Sequence, residues 1–232
     1  MQFIPTYVEG LDKALGGGIP EGNAVLVSGT PGTMKSTLVY SIRHKNAQRG
    51  IPGLFVSLEQ PAADVRDQMA RMGLPPLPED KLYLMDLTHM RVALREKELD
   101  RDWTKIIEML LQESRNATGY KLFALDSLEV LYTLTSFKDP RRELFYLIAL
   151  LKDLGFTSLV VSEVSVISPL SPGHGEDYLA DGILALEQFS VGPMDVQLRI
   201  RTVKMRGTRH DRGYFTLEWD TGRFVATRSI LA

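Results

Sequence analysis

The chain of 232 residues contains no cysteine, which excludes disulfides, thiolate metal ligands and cysteine nucleophiles and fits a cytoplasmic protein. Histidine is scarce. His44, His89, His174 and His210 stand in neither HxxH nor HExxH spacing, so a zinc site is not indicated. No apolar run reaches the roughly 18 residues that a membrane helix needs. The start, MQFIPTYVEG, has no basic segment followed by an apolar one, so nothing points to export. Neither sign of charge dominates: 27 Lys and Arg against 29 Asp and Glu give a net charge of −2, which does not fit a globally basic nucleic-acid binder. A hydrophobic share of 44% with 24% charged residues is ordinary globular composition. With no internal repeat and no linker, residues 1–232 read as a single domain.

Apolar runs at 24–28, 53–58, 81–86, 121–126 and 157–162 read as buried strands. Between them, helices are expected over 35–49, 61–72 and 144–154. A further helix carries Trp103, Ile106, Ile107 and Leu110 on one face. This alternation predicts an α/β fold with a mostly parallel central sheet flanked by helices. The last third changes character. Runs at 182–189, 196–205 and 213–219, with a tight turn at Asp220-Thr221-Gly222, predict an antiparallel extension of the sheet.

Between the first strand and the first long helix stands Gly29-Thr30-Pro31-Gly32-Thr33-Met34-Lys35-Ser36, followed by Thr37. It is close to GxxxxGK[ST], the phosphate loop. In such a loop backbone N–H groups and the helix N-terminus cradle phosphates, the lysine reaches the β- and γ-phosphates, and the hydroxyl binds Mg²⁺. Lys35 and Ser36 are in place, but Met34 occupies the position where glycine is expected. The alternative is a glycine-rich strand-to-helix turn that holds no ligand.

Two acids end strands at the edge where parallel sheets bind ligands. Asp126 closes an apolar strand, as does the acid that holds the Mg²⁺ shell in phosphate-loop enzymes; it equally fits an acid capping the next segment. Glu59 can orient and polarise the water that attacks the γ-phosphate, or serve only to start the helix after Pro61. Gln60 is neutral and cannot act as a base. Residues 199–213 gather Arg199, Arg201, Lys204, Arg206, Arg209 and Arg212 against Asp211 alone. Such a concentration suits a polyanion or a solvated strand face.

With these pieces the sequence resembles the RecA superfamily, and within it the KaiC-like ATPases. The resemblance runs from Gly10–Gly22 through residues 28–36, Phe55–Pro61 and Ala124–Ser127 to Lys204-Met205-Arg206-Gly207-Thr208-Arg209-His210. That last run is similar to the KxRGTxH signature of KaiC domains. The resemblance implies a RecA-like phosphate-loop NTPase that binds ATP or ADP with Mg²⁺. It further implies nucleotides shared between subunits of a homo-oligomeric ring, a hexamer. Thr30 to Thr37 would hold the nucleotide, Ser36 and Asp126 the metal, and Glu59 and Lys35 the chemistry. Lys204 and Arg206 would act on the neighbouring subunit's γ-phosphate, with Met205, Thr208 and His210 lining the same nucleotide and Arg71 near the base.

Two departures qualify this. KaiC domains commonly carry a pair of glutamates where Glu59-Gln60 stands, so slow hydrolysis is expected. The phospho-acceptor pair of the clock proteins falls on Asp177-Tyr178, and those proteins carry two such domains in tandem, so a self-phosphorylating cycle is not expected. The leading expectation is a slow regulatory ATPase with an unidentified protein partner. One rival is a sensor that binds ATP without turnover, motivated by Met34 and Gln60. The other is a DNA-binding recombinase accessory protein. Its DNA loop would be 163–177, which contains no Lys or Arg, although Lys138, Arg141 and Arg142 stand nearby in sequence.

Overall fold

In the computed structural model the described residues are 2–88, 103–134, 137–163 and 174–229. Two short strands, β1 (Phe3–Ile4) and β2 (Ile19–Pro20), pair antiparallel at the start of the chain. The remaining strands are β3 (Ala24–Gly29), β4 (Gly53–Ser57), β5 (Leu82–Asp86), β6 (Leu122–Asp126), β7 (Thr157–Ser162), β8 (Gly182–Val191), β9 (Asp195–Met205), β10 (Tyr214–Asp220) and β11 (Arg223–Arg228). They form one nine-stranded sheet in the order β11-β10-β9-β8-β3-β7-β6-β4-β5.

The strands from β5 to β8 in that order are parallel, and β9, β10 and β11 add antiparallel pairs. This is the architecture expected from the alternating pattern. All six residues of β3 are buried, because its neighbours and both helical layers cover it. Val25 and Val27 face one core, with Leu38, Val39 and Ile42 of the helix Lys35–Gln48 and Val65 and Met69 of the helix Ala62–Arg71. Leu26 faces the other. There it meets Leu111 of the helix Trp103–Thr118, Leu131 of the helix Leu128–Leu134, and Leu144, Leu147 and Leu151 of the helix Pro140–Asp153.

Several elements differ from the sequence expectation. The helix Pro140–Asp153 begins four residues early because the Asp139 carboxylate accepts the Arg142 N–H at 3.1 Å and Pro140 suits a first turn. The helix Leu128–Leu134 was not anticipated, although Leu128 and Leu131 are buried. β11 was also missed, although Phe224 and Ala226 alternate inward. The tight turn at Asp220-Thr221-Gly222 is present and joins β10 to β11.

Register fixes where the two ends of the sheet's centre lie. Gly29 pairs with Leu186, and Leu186 with Ile200. Val25 pairs with Gly182, and Gly182 with Met205. The end of β9 therefore stands level with the start of β3, one strand away across β8 and away from the loop that follows Gly29.

Candidate functional site

After Gly29 the chain turns through residues 30–34 into the helix Lys35–Gln48, whose first-turn N–H groups face the C-terminal edge of the sheet. Gly29 is pressed against β8. A Cβ there would lie 2.5 Å from the Leu186 carbonyl oxygen and 2.8 Å from Thr33 Oγ1, so no side chain fits. The buried Thr33 hydroxyl donates to the Thr30 carbonyl at 2.7 Å, and the Gln188 amide donates to the Gly32 carbonyl at 3.3 Å. Met34 adopts φ 60° and ψ 27°, the left-handed region that glycine visits freely. The backbone path is thus the one a glycine would trace, held by methionine at about 1–2 kcal/mol. Packing of the half-buried Met34 side chain against the core offsets part of this.

Lys35 is 8% exposed, and its ammonium donates to the Thr30 carbonyl at 3.0 Å. Burial lowers its pKa, against the opposing pull of Glu163, Asp126, Glu129 and Glu59. Burial, reinforced by Glu59 and opposed by the Ser36 hydroxyl, pushes the Asp126 carboxyl at the end of β6 up to about 6. Thr37 is buried in the same helical turn.

Glu59 lies just beyond β4 and is exposed. The fully buried Ser127 hydroxyl donates to its Oε1 at 2.7 Å and approaches Glu163 Oε1 at 3.4 Å. Burial first and the neighbouring Glu59 second push up the carboxyl of Glu163, the residue after β7. Ser162 donates to Glu129 Oε1 at 2.7 Å, and Glu129 Oε2 is buried with no hydrogen-bond partner. Sequence reasoning did not single out Glu129 and Glu163 as site residues. Their signal was position: one follows Asp126 by three residues, the other ends a parallel strand. Gln60 is exposed, and its backbone is clipped by the Ser57 hydroxyl at 2.6 and 3.3 Å.

Four carboxylates around one ammonium leave the site short of positive charge for a nucleotide. Among the described residues no group of three or more His, Asp or Glu could hold a metal ion by itself. A magnesium ion asks less of the protein: one or two side-chain oxygens, with waters and phosphate oxygens completing the shell. The Ser36 hydroxyl and the Asp126 carboxylate are hard-oxygen donors of that kind, so the residues fit the ion.

The second group of expected residues lies elsewhere. Lys204 Nζ donates to the carbonyls of Asp177 at 3.0 Å, Tyr178 at 3.4 Å and Ala180 at 2.6 Å. Arg206 pairs with Asp181 at 3.2 Å. The Met205 side chain is buried, its sulfur packed where a Gly182 Cβ would stand at 2.6 Å. Thr208 donates to the Leu15 carbonyl at 2.6 Å. His210, whose ring nitrogens are buried without a partner, lines a cleft of about 470 Å³ with Lys13, Arg209, Asp211 and Arg228. Arg71 is exposed at the C-terminal end of the helix Ala62–Arg71. The basic residues of 199–213 do not form one face: Arg199 is buried under the Phe189 ring, 3.6 Å from its centroid. Most of the loop expected at 163–177 lies outside the described residues.

The fold and the loop define a nucleotide-binding α/β protein with a RecA-like core. A family profile described as "ATPase: KaiC" matches residues 4–225, and the chain belongs to the KaiC ATPase family. A UPF0273 protein of Aeropyrum pernix is 34% identical over 215 residues, 89% of this chain and 86% of that protein. The circadian clock oscillator protein KaiC of Parasynechococcus marenigrum is 29% identical over 230 residues, 95% of this chain but 44% of that protein. The crystal structure of a KaiC-like protein from Pyrococcus horikoshii superimposes with a TM-score of 0.82 at 25% identity, covering 97% of this chain and 98% of that one. No helix among the described residues is long and apolar enough to cross a membrane.

Proposed function

We propose that residues 1–232 form one magnesium-dependent ATPase domain that hydrolyses ATP slowly between copies of itself in a ring of six, and that nucleotide state serves regulation in the cytoplasm. The observation that carries this reading is the separation of Lys204 and Arg206 from the phosphate loop. Their heads contact residues 177–181, just before β8, whereas the loop follows the far end of β3. Five strand residues at 3.3 Å each put about 16 Å between those levels. A phosphate in the loop cannot meet these cations in the same chain, so they serve a neighbour's nucleotide.

Residues 30–37 wrap the phosphates, and Lys35 leaves the Thr30 carbonyl for the β- and γ-oxygens. Ser36 and Asp126 would hold Mg²⁺, which supplies charge neutralisation to the phosphates when bound. Glu59 accepts a proton from the attacking water as its oxygen bonds to the γ-phosphorus. The bond to the bridging oxygen breaks, and ADP and phosphate leave. Glu59 accepts the Ser127 hydroxyl, which restrains it as a base and favours low turnover.

The test is Mg²⁺-dependent phosphate release by the purified chain, beside nucleotide binding. Release that needs Lys35 supports an ATPase. Tight binding of ATP with no release over hours would replace it with a sensor.

A further inference from the structure

Asp181 stands immediately before β8 and is 4% exposed. Its carboxylate accepts the Ala24 N–H at 3.1 Å, Lys152 Nζ at 3.0 and 3.1 Å, and Arg206 Nη1 at 3.2 Å. Its backbone carbonyl accepts the Arg206 N–H at 2.8 Å. Burial works to raise this carboxyl, but the donations from Ala24, Lys152 and Arg206 prevail and hold it below its ordinary range. A serine or an asparagine would serve the Ala24 N–H as well. Only the two cations use the charge.

One buried carboxylate facing two cations leaves a surplus of one positive charge. Lys152 and Arg206 are each about half exposed in their side chains, so the surplus faces outward. Arg206 also reaches the Tyr178 carbonyl at 3.4 Å through Nη2. Its guanidinium is therefore pinned from two sides without being neutralised.

We propose that Asp181 is a positioning residue for the reaction: it fixes the Arg206 guanidinium at the surface and, sharing its charge with Lys152, leaves that guanidinium free to meet a phosphate of another copy. The inference rests on the reading that Arg206 acts on a neighbour's nucleotide. An arginine side chain has several rotatable bonds, and an ordered one loses less freedom when it engages the transition state.

The experiment uses the full chain carrying Asp181→Asn, alone and co-expressed with a Glu59→Gln chain. Alone, kcat should fall about 10- to 100-fold, the scale of an ångström-sized misplacement, while affinity for ADP stays unchanged. Co-expression should restore turnover, because the intact phosphate loop of one chain then faces the intact Arg206 of the other. Asp181→Glu, which keeps the charge, should recover part of the rate. Arg206→Ala is the control. If Arg206→Ala is impaired and complemented while Asp181→Asn turns over normally, the positioning role is overturned. The same follows if Asp181→Asn is impaired but not complemented, since the defect is then one of folding. If Arg206→Ala alone turns over normally, the reading beneath the inference fails with it.

Discussion

Lys35 and Lys204 stand toward opposite ends of the same stretch of sheet. Lys35 opens the helix beyond Gly29, while Lys204 of β9 pairs with Ile183 of β8, which pairs in turn with Leu26 of β3. On the proposed reading, each chain would offer half of a cationic clamp at either end. Turnover per chain should therefore fall as the protein is diluted below its assembly concentration, and Lys204→Ala should lose at least about 100-fold in kcat. Phosphate release measured across a dilution series, with light scattering on the same samples, checks this. Constant specific activity in samples that scatter as single copies would remove the shared site.

Glu59 is exposed and outside the phosphate loop, so Glu59→Gln should leave ADP affinity within about twofold. Loss of a general base should lower kcat by about 100-fold or more. Phosphate release and an ADP titration on the same preparation separate the two effects. A Gln variant as fast as the native chain would leave Glu59 without a chemical role.

At Met34 the left-handed backbone is already built, so Met34→Gly relieves about 1–2 kcal/mol of strain while losing side-chain packing and adding unfolded-chain entropy. ADP affinity should change by less than about threefold. Met34→Val, branched at Cβ, should destabilise the chain by about 1–2 kcal/mol. Thermal melts and ADP titrations of both variants decide it. A large gain in affinity for the glycine variant would show instead that Met34 obstructs the loop.

Asp126 gives a pH dependence in metal-free protein. Below about pH 4 its carboxyl is neutral in folded and unfolded chains alike. Between about 4 and 6 the folded chain keeps a proton that the unfolded chain has lost, so rising pH favours unfolding. The gap between 3.8 and about 6 corresponds to roughly 3 kcal/mol at most. The Tm of the native chain should thus fall relative to Asp126→Asn as pH goes from 5 to 7. Parallel melts at the two pH values measure it, and equal changes in both proteins would contradict the burial of this charge.

The parallel core was legible because its strands are short, apolar and bounded by turn residues, as in 157–162, where strand and expectation coincide. β1, β2 and β11 escaped. Two of them are two residues long, and β11 alternates Phe224 and Ala226 with residues that a loop also carries. In the site, the loop and strand-end acids were legible because strand, turn and helix give them context. At Met34 the missing glycine was legible, but the left-handed angle was not. The grip of Asp181 on Arg206 was not legible: they sit in different segments 25 residues apart, and only the register of β8 against β9 brings them together.

The strand that carries the phosphate loop is also the one whose partners are made late. β3 pairs with β7 and β8, whose residues follow it by more than 130 positions, and Leu186 walls the loop at Gly29. The partners of β4, by contrast, are β5 and β6, which lie nearer in sequence. Pairings as distant as those of β3 slow folding, and an apolar strand left without partners is open to aggregation. The wall at Gly29 is therefore complete only once Leu186, 157 positions further along the chain, is in register with it.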